Sequence, residues 1–172
     1  MILRKYLFSI LYRTIRFSVK LLVSFFQFIS GQKKDLESIV EFGDSNLIRI
    51  NKYFGSFAYS FPIPKDIAIE VYDLKFKSPL IAASFKSEKD LIDIWLKLGL
   101  GGAVFKTIMS EKRNGNHRPR LQQVRLERQA CLVNALGLPG EVVESFSNSI
   151  VHSPLWSYDK PLGLSIGGEN FD

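Results

Sequence analysis

Polar and apolar positions along residues 3–30 follow a helical period. Lys5, Ser9, Arg13, Arg16, Lys20, Ser24 and Gln27 recur every three or four residues. At about 100° per residue they share one stripe of a helix, and Leu, Ile, Val, Phe and Tyr fill most of the rest. A shorter helical pattern covers residues 35–53 and is broken by Tyr59-Ser-Phe-Pro-Ile-Pro64. Residues 67–72 alternate as a strand and, with residues 74–76, predict a small hairpin across Asp73.

A repeating unit follows. The apolar run 79–83 reads as a buried strand. Residues 87–98 read as an amphipathic helix, with Ser87 as N-cap, Asp90 at N3, and Leu91, Ile94, Trp95 and Leu98 on the inner face. Gly99-Leu-Gly-Gly102 ends it. Residues 103–108 predict the next strand, 110–127 form a long polar stretch, 140–150 a second helix and 161–166 a third strand. Strand–helix–strand–helix–strand with apolar strands predicts an α/β class with a parallel sheet.

Charge changes the picture at the amino terminus. Residues 1–34 carry Arg4, Lys5, Arg13, Arg16, Lys20, Lys33 and Lys34 and no acid, whereas the rest carries 16 bases and 17 acids. Gly31 to Lys34 closes the first helix with a glycine and two lysines. A basic, apolar-rich segment suits a membrane surface better than a nucleic acid, which a binder meets with basic charge spread over its folded surface. The longest uncharged run, residues 21–32, is 12 residues, shorter than the roughly 18 a spanning helix needs. The expectation is a peripheral helix, or a bent pair, at an inner or cytoplasmic membrane. A cleaved signal peptide and a helix packed on the domain compete with it. Charges that run on to Lys20, with no small-residue cleavage site, tell against the first.

Hydrophobic residues make up 46% of the 172, enough for a core. The single cysteine, Cys131, excludes an intramolecular disulfide framework and a multi-cysteine metal site, and reads as a small buried residue. His117 and His152 have no partners at metal-ligand spacing, so no metal is expected. The chain divides into a basic amphipathic segment (1–34), a connector (35–65) and an α/β part (66–172).

Four stretches, in order and at matching spacing, resemble dihydroorotate dehydrogenases. Residues 104–121, VFKTIMSEKRNGNHRPRL, are similar to the family's loop after its second strand. Lys106, Thr107, Glu111, Arg113, Gly115, Asn116, Pro119 and Arg120 fall in register with it. Asn134-Ala-Leu-Gly-Leu138 resembles the substrate loop, residues 73–84 the entry to the first barrel strand, and Gly163-Leu-Ser-Ile-Gly167 a third strand. The resemblance implies a (β/α)8 TIM barrel holding FMN at the carboxyl ends of its strands. Such a barrel needs eight units and about 250 residues. This chain supplies the first three, so a carboxyl-terminal continuation or a second chain is expected to complete it.

What the resemblance implies chemically can be matched to residue types. Oxidation of dihydroorotate to orotate, in pyrimidine (UMP) synthesis, transfers hydride to FMN. Small residues let the flavin approach backbone, as at Ala82, Ala83 and Ser84. A cation suits its reduced ring, and Lys106 offers one. Thr107 and Ser165 complete the expected cofactor set. Lys106, Asn134, Leu136, Gly137 and Leu138 form the expected substrate set, Asn134 matching amide-like edges. Arg113 and Arg120 read as braces for the loop. The family's Ser or Cys base follows its fourth strand, so no catalytic base is expected here. Departures are Lys86 in a shifted position, and Lys112, Gly140 and Ser165 in place of the family's residues. The Lys106-Thr107 arrangement resembles the soluble branch. The amino terminus resembles the membrane-bound branch, which points to quinone as electron acceptor. Two other readings stay open: a flavin barrel oxidoreductase for another pyrimidine or cyclic amide, and a degenerate, membrane-tethered, non-enzymatic relic.

Overall fold

The computed structural model describes residues 2–33 and 35–168. The expectations placed on Lys34 and on residues 169–172 lie outside the described residues. The chain forms two compact units: residues up to Ser45 with Asn116–Leu136, and Asn46–Gly115 with the chain from Gly137. In chain order the elements are α1 (Ile2–Ile29), α2 (Glu37–Tyr59), β1 (Ile69–Val71), β2 (Leu74–Phe76), β3 (Ile81–Ala82), α3 (Lys89–Lys97), β4 (Gly102–Ile108), β5 (Leu121–Leu126), β6 (Gln129–Asn134), α4 (Val143–Ile150) and β7 (Leu162–Ile166).

In the first unit, α1 is one continuous helix and turns the end of its polar stripe inward. Gln27 is only 7% exposed. Its Nε2 donates to the Asp35 carbonyl at 2.9 Å, and the Asp35 amide donates to its Oε1 at 3.3 Å. Lys20 donates to Gln123 on β5. The apolar flank is left outward: Leu21, Leu22, Phe25, Phe26, Phe28 and Ile29 are all exposed, Phe28 at 81%. Over the last turns the polar stripe thus supplies the packing contacts and the apolar flank is left uncovered, which goes against the competing reading of a helix packed on the domain by its apolar side. Among the described residues no helix is long and apolar enough to cross a membrane.

The polar stretch expected to be a long loop instead enters a hairpin. β5 and β6 pair antiparallel from Leu121 opposite Asn134 to Leu126 opposite Gln129. Glu127 and Arg128 make the turn, both at positive φ (47° and 71°), as a type I′ turn requires. Cys131 lies on β6 and is half-exposed, not buried, because β6 is covered on neither face for most of its length. The hairpin's entrance is anchored to α2. Arg120 donates from Nε and Nη2 to the two carboxylate oxygens of Glu37 at 2.8 and 2.7 Å, and from Nη1 to the Asn116 carbonyl. That two-pronged geometry is among the stronger polar contacts a surface offers. It is the bracing role expected of Arg120. The bond from Arg120, reinforced by Arg118, holds the Glu37 carboxyl below its ordinary pKa against the opposing effect of burial.

In the second unit, β1 and β2 form the expected small antiparallel hairpin. β3, β4 and β7 make a parallel sheet in the order β3–β4–β7. The intervening helices supply the core: Ile92 and Leu96 of α3 and Phe146 of α4 pack with Ala82, Ala103, Phe105, Ile108 and Leu155. The rings of Phe105 and Phe146 meet edge to face at 5.2 Å, a favoured aromatic geometry. α3 differs from expectation in two respects. Its N-cap is Glu88, with no side-chain cap bond, so Ser87 lies one residue outside. Its buried residues are Leu91, Ile92, Ile94 and Leu96, while Leu98 is exposed and Trp95 only half-buried. The helix is covered on more than one side, and a single-stripe reading misses that.

A polar network ties α3 to its surroundings. Asp93 accepts from Lys97 Nζ and Asn51 Nδ2, both at 2.6 Å, and from the Tyr158 hydroxyl at 2.5 Å. Burial acts to raise the Asp93 pKa, but the bonds from Lys97, Tyr158 and Asn51 outweigh it and hold the carboxyl below its ordinary value. Burial first, then the bond to Asp93, pushes the Tyr158 phenol up. A carboxyl depressed by folding stabilises the fold above its unfolded pKa of about 4, and that contribution is lost as pH falls through the lower folded value. Asp93→Ala takes the acceptor from three donors, of which Lys97 keeps a bond to Asn51 Oδ1 at 2.9 Å. It is expected to cost about 2–3 kcal/mol at pH 7 and to flatten the acid limb of the stability profile, as urea unfolding across pH will read.

Candidate functional site: the carboxyl edge of the parallel sheet

Parallel strands pointing the same way bring their carboxyl ends to one edge. Here that edge gathers residues distant in sequence. β3 ends at Ala82, and Ala83 and Ser84 continue from it, both exposed. Ser84 Oγ donates to the Phe105 carbonyl at 3.0 Å, and the Lys106 amide donates to the Lys86 carbonyl at 2.9 Å. The segment after β3 therefore lies along the end of β4.

The pairing of β4 with β7 changes register at this edge. Phe105 faces Leu164 and Ile108 faces Ile166, so β4 uses one residue more than β7 over the interval. Such a bulge re-aims side chains, and it falls on Lys106 and Thr107. Thr107 Oγ1 and Ser165 Oγ meet across the strands at 2.8 Å. Lys106 is half-buried. Gly167 closes the edge tightly: a Cβ there would lie 2.8 Å from Thr107 Cγ2 and 2.9 Å from Met109 Sδ. A hydroxyl pair, a half-buried lysine and exposed small residues thus share one rim.

The expected substrate residues are divided. Asn134 and Leu136 belong to the first unit and Gly137 and Leu138 to the second. Asn134 is exposed at the end of β6. The loop beyond it is held by Asn116, whose amide donates to the Leu136 carbonyl at 3.0 Å and whose Nδ2 donates to the Ala135 carbonyl at 2.9 Å. Gly137 and Leu138 both take positive φ, 71° and 50°. In the second unit Arg113 and Gly140 exchange backbone hydrogen bonds at 3.1 and 2.9 Å. A Cβ on Gly140 would lie 3.8 Å from the Thr107 carbonyl. The stretch around Leu138–Gly140 is thereby laid beside the end of β4. Sequence reasoning left one cation of this rim out of the site. Lys86 has its ammonium 5.6 Å from the Phe85 ring centre and 4.0 Å from Glu88, and its place after a strand end was the available signal. Among the described residues no cluster of His, Cys, Asp and Glu could hold a metal.

A parallel α/β sheet with its polar side chains at the carboxyl ends of the strands is the layout of an α/β enzyme. The family is shown by comparison: the model of the dihydroorotate dehydrogenase family matches residues 66–169, and the chain belongs to that family. Three relatives are each named dihydroorotate dehydrogenase (quinone). The one from Rhodopseudomonas palustris strain TIE-1 is 36% identical over 62% of this chain and 29% of its own length. That from Haemophilus ducreyi is 32% identical over 58% and 28%, and that from Thermosynechococcus vestitus 30% identical over 57% and 26%. The chain therefore spans less than a third of the relatives it matches.

Proposed function

We propose that this chain is the amino-terminal part of an FMN-dependent (β/α)8 barrel that oxidises dihydroorotate to orotate and passes the electrons to quinone. One observation carries the reading: Ser84, Lys106, Thr107 and Ser165 share the carboxyl rim of the parallel sheet, inside the stretch that matches the family. FMN fits this rim. Ala82, Ala83 and Ser84 put no bulky side chain over the backbone, and the bulge presents a lysine beside a hydroxyl pair. When bound, FMN supplies the two-electron acceptor. Lys106 holds positive charge where a reduced ring carries negative charge. The Thr107–Ser165 pair fixes the rim's shape and offers hydrogen-bonding oxygens. Asn134 and the amides of Leu136, Gly137 and Leu138 are the substrate set that the family resemblance implies, of a chemistry that suits a planar, amide-edged ring.

Membrane attachment belongs to the same proposal. The outward flank of α1, rich in Leu and Phe, beds on the bilayer in plane, where a quinone is met. The Ser or Cys base that the family resemblance implies follows a fourth barrel strand. The isolated chain is expected to show no dihydroorotate oxidation, while the protein as its own cells make it, with any continuation or partner chain, turns over dihydroorotate in preference to dihydrouracil and hydantoin. Turnover by the isolated chain would overturn the division of labour. Preference for another cyclic amide would overturn the substrate.

A further inference from the structure

The first unit contains an open cavity of about 600 Å³ between α1 and β5. Its wall carries Lys20, Lys33 and Arg125, together with Gln122 and Gln123. Among the described residues Asp35 is the acid on the wall. Its Oδ1 accepts from the Glu37 amide at 3.0 Å, and its Oδ2 lies 3.8 Å from Arg118 Nε. Arg118 is shared with Glu37, at 3.1 Å, and with Glu41, so Asp35 keeps part of its charge. The three basic side chains still outnumber it on the described wall. Gln27, locked to Asp35 in both directions, seals one side.

The cavity's position decides what fills it. Lys20, Ser24 and Gln27 line it, and the neighbouring positions Leu21, Phe25, Phe26 and Phe28 of α1 are apolar and exposed. On the hairpin, Leu126, Leu132 and Val133 are also exposed. A basic recess bordered by exposed apolar side chains matches a molecule with an anionic head and a hydrocarbon body. We propose that the cavity binds the phosphate headgroup of an anionic phospholipid, its acyl chains running onto the apolar flank of α1. This rests on the bilayer-docking reading of α1 and deepens it, from general attraction to a built headgroup site.

The test is flotation of the purified chain with vesicles of phosphatidylcholine alone and of phosphatidylcholine mixed with phosphatidylglycerol. The chain is expected to bind both, and the mixed vesicles about tenfold more tightly. The double variant Lys20→Gln/Arg125→Gln loses that preference and keeps its binding to neutral vesicles. Arg125→Gln alone, which leaves the Lys20–Gln123 contact in place, loses part of it. Arg13→Gln removes an exposed base elsewhere on α1 and keeps most of it. Phe25→Ser/Phe26→Ser weakens binding to both vesicles. An equal loss in Arg13→Gln and the cavity variants means diffuse charge and overturns the site. So does soluble glycerol phosphate that binds as tightly as the mixed vesicles. No preference for mixed vesicles, with neutral binding intact, removes the headgroup site alone. Binding to neither vesicle removes the bilayer-docking reading itself.

Discussion

Lys106→Gln, made in the protein as its own cells produce it, is expected to lower the rate of dihydroorotate oxidation by about 100-fold or more. The side chain ends up half-buried on the β4 bulge, on the rim that also carries the Thr107–Ser165 contact. Glutamine keeps most of the stem's length and removes the charge. If the lysine serves as an electrostatic partner of a reduced ring, the loss falls on kcat more than on KM, and the flavin's reduction potential drops in parallel. Steady-state kinetics and a potentiometric titration of the same variant read both. A lysine that merely solvates a strand end would leave the rate within a few-fold and the potential unmoved.

Gly101→Ala is expected to be the most damaging single methyl in the sheet. The Gly101 amide donates to the Leu80 carbonyl at 2.8 Å, which draws the chain entering β4 against the segment before β3. A Cβ at this position would lie 1.9 Å from the Ser78 carbonyl oxygen and 2.9 Å from two further backbone atoms of Ser78. Ser78 is itself 2% exposed, so neither strand can move away cheaply. Backbone, not a flexible side-chain end, has to give. Overpacking of this kind costs about 3 kcal/mol or more, enough to unfold a marginal domain. Urea unfolding of Gly101→Ala beside Gly43→Ala reads it. Gly43 lies on α2, where an added methyl would meet nothing within 4 Å, and alanine there is expected to stabilise slightly, since it favours the helix.

How far the sequence carried the fold differs by element. The parallel sheet was legible because β3, β4 and β7 are short apolar runs separated by helical periods and glycines. The β5–β6 hairpin was not. Its turn residues, Glu127 and Arg128, adopt the left-handed conformations usually given to Asn-Gly. Its strand Leu121-Gln-Gln-Val-Arg-Leu126 is too polar to stand out. In α3 the adjacent apolar residues Leu91 and Ile92 point to different sides, and both sides are covered. A stripe argument assumes one. The amphipathic character of α1 was plain, but the side that packs was not. The hydrogen bonds of Gln27 to the Asp35 backbone, and of Lys20 to the far hairpin, are made by side chains that a solvent-facing stripe would leave in water. Such contacts depend on tertiary partners that periodicity does not reveal.

The candidate site was legible as a set of residue types and not as geometry. Ala82, Ser84, Lys106, Thr107 and Ser165 lie at or near strand ends, so parallel pairing alone brings them to one edge. The register shift that aims Lys106 and Thr107 leaves no mark in a run as regular as Ala-Val-Phe-Lys-Thr-Ile. Asn134 and Leu136 depend on the hairpin and on the Asn116 clamp, both invisible without the strand pairing.

Whether the rim of β3, β4 and β7 serves a flavin that takes electrons from dihydroorotate is tested most directly by anaerobic mixing. Dihydroorotate is added to the protein as its own cells make it, and the flavin absorbance is followed before any acceptor is present. The expected result is stoichiometric bleaching by dihydroorotate, reversed when a quinone is added, and slowed at least about 100-fold in Lys106→Gln. Protein that carries no flavin, or flavin that dihydroorotate leaves oxidised, would contradict it.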